Sequence, residues 1–144
     1  MSRWLIVRAA GRAIALPVTA VDGVVEVPPP IPVPAHGPAV RGVVPLRGRL
    51  VPLVHLAAAV GLGEPMPAAS AVGVALRTNA GRFVVEVDDV TDLAMTAPVA
   101  LPRGWQHGWA THAVRRAGEV VPVLDVDWVV EHLVHGAEGS ATAR

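Results

Sequence analysis

The sequence predicts an all-β fold with short helices, arranged as two SH3-like five-stranded β-barrel subdomains. Three observations carry that expectation. Valine is prominent in an apolar fraction of 52%, and its branched Cβ packs well on a pleated surface. Fourteen glycines and fourteen prolines punctuate the 144 residues too often for a helix bundle. The chain also repeats itself. Gly48-Arg-Leu-Val-Pro-Leu-Val-His-Leu56 resembles Gly118-Glu-Val-Val-Pro-Val-Leu-Asp-Val126, seventy positions on, and Ala10-Gly11-Arg12 recurs at the same offset as Ala80-Gly81-Arg82. A fixed period marks a duplicated unit. The chain therefore reads as a single domain over 1–144, with one subdomain at about 1–70, a second at about 71–134 that closes with a helix, and a flexible tail at 135–144.

Each unit reads as short strands joined by tight turns. Apolar runs at 4–9 and 13–16 flank Ala10-Gly11-Arg12, a hairpin signal. A strand at 24–27 follows, and runs at 41–47 and 50–54 flank Gly48-Arg49. The Ala-rich stretch 56–60 is a helical turn closed by Gly61 and Gly63. In the second unit, runs at 72–77 and 83–87 flank Asn79-Ala80-Gly81, a strand covers 90–95, and runs at 108–114 and 120–124 flank Ala117-Gly118. Residues 125–134 form a helix with Asp125 as N-cap and Trp128, Val129 and Leu133 on one face. Five short strands per unit suit a small barrel. Two thin cores of that size gain by sharing apolar surface, at roughly 25 cal/mol per Å² buried.

Composition narrows the function. Twelve arginines balance twelve acidic residues, with no lysine and no net charge. Such a chain lacks the basic footprint that nucleic acid or an anionic membrane surface requires. Cysteine is absent, which removes disulfides, thiol nucleophiles and thiolate metal sites. The N-terminal stretch has only four apolar residues between Arg3 and Arg8, so it does not read as a signal peptide. No run approaches the roughly 18 apolar residues of a spanning helix. These features read as a cytoplasmic protein. The chain starts and ends within a few residues of the repeat, which reads as a stand-alone protein rather than a piece of a larger kinase or response-regulator fusion.

The stretch Val40-Arg-Gly-Val-Val-Pro-Leu-Arg-Gly-Arg-Leu-Val-Pro-Leu-Val-His-Leu56 resembles the signature of CheW-like domains. Val24-Val-Glu-Val27 with the prolines after it, Val87-Asp-Asp-Val90 and Val123-Leu-Asp-Val126 resemble the family too, so the likeness covers about residues 3–134. It implies the CheW-like fold, two intertwined β-barrels, and a non-catalytic adaptor with no cofactor. Proteins similar to this one couple a CheA-type histidine kinase, through its own CheW-like regulatory domain, to the cytoplasmic helical hairpin tip of methyl-accepting chemoreceptors beneath the inner membrane. The resemblance places receptor- and kinase-binding residues at Val24, Glu26, Gly42, Arg47, Val90, Leu93 and Gly108, with Arg47 ion-paired to Glu26. Three positions depart from the pattern: Pro45 stands for an asparagine, His55 for an aspartate and Val84 for a glycine. They suggest a divergent copy serving a chemosensory pathway other than flagellar chemotaxis.

Read without the family, the same residues have plainer roles. Arg47 is a turn arginine, Gly42 and Gly48 supply backbone freedom, and Val24, Val90 and Leu93 are ordinary core-packing residues. The 28–34 proline run is a stiff connecting loop rather than a polyproline ligand. Asp88, Asp89 and Asp92 lie on a solvated turn. A small metal-dependent hydrolase built on the six histidines is the alternative from another class. It lacks any recognised ligand spacing, His132 and His135 or His107 and His112 included. Neither Ser2 nor Ser70 sits in a nucleophile context.

Overall fold

The computed structural model describes residues 2–33, 37, 39–63 and 72–134. The first half runs β1 (Ser2–Ala9), β2 (Arg12–Pro17), a single 3-10 turn (Val18–Ala20), β3 (Val21–Glu26), β4 (Val40–Leu46), β5 (Arg49–His55) and α1 (Leu56–Ala59). The second half runs β6 (Val72–Thr78), β7 (Gly81–Glu86), β8 (Asp89–Thr96), β9 (Ala110–Arg116), β10 (Glu119–Leu124) and α2 (Val126–Val129), which continues as a π-helical turn over Val130–Val134. The expected boundary near residue 70 and the expected tail at 135–144 lie outside the described residues.

The hairpins form where turn chemistry allows. Ala10-Gly11, Arg47-Gly48 and Ala117-Gly118 each hold two successive residues at positive φ, near +50° and then near +80°. That pair of conformations is the two-residue turn whose twist matches the flanking strands, and glycine takes the second place without Cβ strain. The fourth hairpin turns differently. Thr78 Oγ1 accepts from the N–H groups of Ala80 and Gly81 at 3.0 and 3.1 Å, closing the Asn79-Ala80 turn with a side chain.

The ten strands form two sheets of five, in the orders β8-β1-β2-β10-β9 and β3-β6-β7-β5-β4. Each sheet thus takes a hairpin from one half of the chain and three strands from the other. The seams are parallel: β2 beside β10 at Ala15↔Val123, and β5 beside β7 from Leu53↔Val84 to His55↔Glu86. The offset of seventy relates β4 to β9 and the end of the β4–β5 turn to that of β9–β10. It does not relate the exchanged hairpins. Their last pairs are Ala9↔Arg12 and Thr78↔Gly81, sixty-nine positions apart. One residue matters, because a slip of one turns every side chain to the other face.

Both faces of the exchanged hairpins are buried. Val7, Ile14, Leu16, Val74, Leu76, Phe83 and Val85 enter a central core shared by the two sheets, joined by Val54, Leu56 and Val129. The alternate residues enter two smaller cores. Trp4, Ile6 and Ala15 meet Val114, Val121 and Val123 within the first sheet. Ala75 and Val84 meet Val44, Val51 and Leu53 within the second. Strands that are covered on both sides read as continuous apolar runs, as 72–76 and 83–85 do.

Neither sheet closes, which corrects the expected β-barrels. The edge strands β3 and β4 share no ladder, nor do β8 and β9. The connecting segments occupy the edges that closure would use. Ile31 exchanges both backbone bonds with Val43 on β4, at 2.8 and 3.0 Å, and Val99 does the same with Ala113 on β9, at 2.7 and 2.9 Å. Val43 and Ala113 are equivalent positions of the two halves. Since Val43 points its backbone outward, so does Pro45 two residues on. Its missing N–H costs no bond to β5 and offers none to β3. The edges are spanned by side chains instead: Arg116 pairs with Asp92, and Arg47 Nη2 donates to the Asp22 carbonyl at 3.5 Å.

The returning segment explains Gly42. A Cβ there would collide with the Ile31 carbonyl oxygen and lie 2.9 Å from its carbon, and φ is +143°. Substituting Gly42→Ala is expected to destabilise the fold by about 1–3 kcal/mol through overpacking. Gly63→Ala, where a Cβ meets nothing within 4 Å, is expected to stay within about 0.5 kcal/mol. Urea unfolding of the two variants checks the contrast.

Candidate protein-binding site

The seven residues drawn from the resemblance fall on separate parts of the fold. Val24 and Glu26 lie on the edge strand β3 of the second sheet, both exposed, with Val24 at 54%. Leu93, 58% exposed, lies on the edge strand β8 of the first sheet, while Val90 on the same strand is half-buried against the central core. Each of these two edge strands thus presents a large apolar side chain to solvent. Arg47 is exposed at the tip of the β4–β5 hairpin. Gly108 is also exposed, and a Cβ there would lie 3.0 Å from the Trp128 indole nitrogen on α2. No hydrogen bond or ion pair of the described residues joins any two of the seven.

Two implications of the resemblance change. Arg47 is not ion-paired to Glu26; its guanidinium reaches the carbonyl of Asp22. Asp22 and Glu26 are four residues apart on an extended strand, a span of roughly 13 Å at about 3.3 Å per residue. Gly42 is buried beneath Ile31, so its missing side chain makes room for this chain's own backbone rather than for a partner helix. Ile31 itself is 51% exposed above it.

Sequence reasoning assigned no role to Arg41 or Glu86, which form the polar centre of the second sheet. Glu86 is the one buried charged residue among those described, at 5% exposure. Arg41 Nε from β4 donates to its Oε1. His55 Nε2 from β5 lies 4.0 Å from the same oxygen. Removing one partner of a buried pair costs about 3–5 kcal/mol, because the other charge is stranded. A lone glutamate in the apolar run Phe83–Val87 was the available signal, since a charge in a buried strand needs a partner. The partner's identity needed the fold.

His55 also shows how a departure from the family pattern is absorbed. Its Nδ1 accepts from the Ala58 N–H at 3.2 Å and caps α1. Asp125, seventy positions on, caps α2 in the same way through Trp128 N–H at 3.2 Å. An imidazole with a free Nδ1 lone pair therefore replaces a carboxylate. Val84 is absorbed as well. A Cβ on Gly73 would fall 2.7 Å from Val84 and 2.6 Å from Val27, so Gly73 on the neighbouring strand leaves the space that Val84 fills.

The other described histidines are engaged locally. His112 bonds to Thr111 Oγ1 at 3.1 Å and meets Trp4 edge-on. His132 stacks on Trp128 and bonds its carbonyl at 3.0 Å. His107 packs edge-on against Trp105. Among the described residues no three His, Cys, Asp or Glu side chains gather as a metal site; His36 and His135 lie outside them. Also among the described residues, no helix is long and apolar enough to cross a membrane.

Burial lowers the His55 pKa below its ordinary 6.5; Arg41 pushes the same way, while Glu86 and Asp88 oppose it. Because the folded value is depressed, the unfolded chain binds the extra proton first. Stability is then complete above pH 6.5 and falls as pH drops below it, through the folded value. His55→Asn keeps a capping oxygen without that proton, so its thermal midpoint is expected to lose this dependence between pH 7 and 5. His55→Ala is expected to cost about 1 kcal/mol at neutral pH from the lost cap.

Comparison with known proteins bears on what this surface is for. A model of the CheW-like domain matches residues 3–134. Among solved structures, the scaffolding protein TtCheW from Thermoanaerobacter tengcongensis superimposes with a TM-score of 0.79 at 14% identity, covering 89% of this chain and 86% of that one. No curated protein matches. With the duplicated five-strand unit, the exchanged hairpins and a family match across nearly the whole described chain, this protein belongs to the CheW-like domain family.

Proposed function

We propose that this chain is a non-catalytic adaptor that couples a CheA-type histidine kinase to methyl-accepting chemoreceptors in the cytoplasm. The observation that carries this reading is the family match over 3–134, supported by a shared fold with a protein described as a scaffold. The geometry is consistent with it. Two edge strands present Val24 and Leu93 to solvent, as a surface that takes up an amphipathic helix requires. The proposed receptor-facing residues are Val24, Glu26, Arg47, Val90, Leu93 and Gly108. Gly42 acts at one remove, by seating the segment that carries Ile31.

Pro45, His55 and Val84 do not argue for a weakened scaffold. Pro45 sits on an outward-facing edge, His55 keeps the cap and Val84 is matched by Gly73. His55 and Val84 therefore act within the fold, whereas Pro45 is exposed on the β4 edge.

Capture of the full chain by an immobilised CheA-type regulatory domain and by a receptor hairpin fragment tests the reading. Both are expected to bind. Arg47→Glu is expected to weaken receptor capture by about tenfold, equivalent to roughly 1.4 kcal/mol, with an unchanged melting temperature. Failure to bind either partner overturns the adaptor reading and leaves the fold untouched.

A further inference from the structure

A cleft of about 660 Å³ opens between the β1–β2 turn, the end of α1, the loop before β9 and the start of β10. None of the seven residues discussed above lines it. Its walls are of two kinds. Arg8 and Arg12 stand on one side, both exposed, and neither forms an ion pair among the described residues. Arg8 donates to the Gly11 carbonyl across a long 3.4 Å. The other side is aromatic. Trp105 and Trp109 pack edge to face with centroids 5.2 Å apart, and the Trp105 N–H is fixed on the His107 carbonyl at 2.7 Å. Leu62 and Val120 extend this apolar wall.

Trp109 is the more deeply buried of the two tryptophans: it is 5% exposed, and its indole N–H, itself closed to solvent, has no acceptor among the described residues.

Guanidinium forks without an ion-pair partner select a carboxylate, and a fixed tryptophan wall selects a flat or branched apolar group. Glu119, which also lines the cleft, disfavours a second carboxylate and accepts N–H donors. We propose that this cleft binds a peptide segment of a partner protein in which a carboxylate side chain adjoins an apolar one. The carboxylate lies on Arg8 and Arg12 and the apolar side chain on Trp105. The segment's backbone carries N–H groups that Glu119 accepts. The volume is within the roughly 300–1,000 Å³ of ordinary binding pockets, enough for a few residues. Exposed Arg8, Arg12, His107 and Glu119 rim the cleft, so a chain can pass through it. Neither the kinase nor the receptor is assumed.

The probes are acetyl-Glu-Leu-Gly-amide and its glutamine counterpart, titrated into the full chain while the tryptophan indole N–H signals are followed by NMR. Saturable shifts of Trp105 and Trp109 are expected. Trp4, bonded to the Thr96 carbonyl at 3.0 Å and outside the cleft, is expected to stay in place. The glutamine peptide is expected to bind about tenfold more weakly, the cost of roughly one charge-assisted hydrogen bond. The double substitution Arg8→Gln with Arg12→Gln lies on exposed side chains and is expected to remove that preference. Trp105→Ala is expected to weaken both peptides alike. Absence of a saturable shift, equal affinity for the two peptides, or undiminished preference in the double variant overturns the proposal.

Discussion

The parallel seams at β5–β7 and β2–β10 are the contacts on which the rest of the molecule depends. Each joins a hairpin from one half of the chain to strands from the other, so neither sheet is complete from its own half. Leu53, Val54, Val84 and Val85 at the first seam are all at most 1% exposed, and alternate members face different cores. Hydrogen bonding along the seam therefore fixes which residues meet the shared core and which stay within a sheet. The buried Arg41–Glu86 pair and His55 end the same seam, at His55↔Glu86. A misregistered β7 would strand that carboxylate, so the polar cluster penalises wrong pairings as well as linking β4 to β7.

Closure and binding are connected. The segments leaving β3 and β8 fold back on β4 and β9, where Ile31–Val43 and Val99–Ala113 occupy the outer edges. Among the described residues the outer edges of β3 and β8 have no strand partner, and these strands carry Val24 and Leu93. Had the sheets closed, those backbone edges would be engaged. Long exposed edges invite unwanted strand pairing. Asp22, Asp92 and the arginines that reach them place charge and bulk along both gaps.

Departures from a family pattern are often read as loss. Here each has a local counterpart: a cap kept by an imidazole, a bulky valine opposite a glycine, a proline at an edge facing away from its ladder. Capping needs only a lone pair at the right place. That requirement is looser than a sequence signature, and it brings a titratable group to the start of α1.

Much of this was legible in the sequence. The repeat, the hairpin turns at Ala10-Gly11 and Ala117-Gly118 and the Asp125 cap follow from local composition and spacing, because turns, caps and strand periodicity are short-range; the turn expected at Gly48-Arg49 falls one residue earlier, at Arg47-Gly48, and the family is read from the resemblance of the 40–56 motif. The sequence also located the residues that became exposed apolar positions on β3 and β8. It did not determine that the halves exchange hairpins, that the first hairpins align at sixty-nine rather than seventy, or that the sheets stay open. Nor did it pair Arg41 with Glu86, seat Gly42 beneath Ile31, or turn Arg47 toward Asp22 instead of Glu26. Those outcomes depend on which strands lie side by side, and strand neighbours distant along the chain leave no local trace in it. Only the tertiary structure, where backbone edges and buried charges must find partners, decides them.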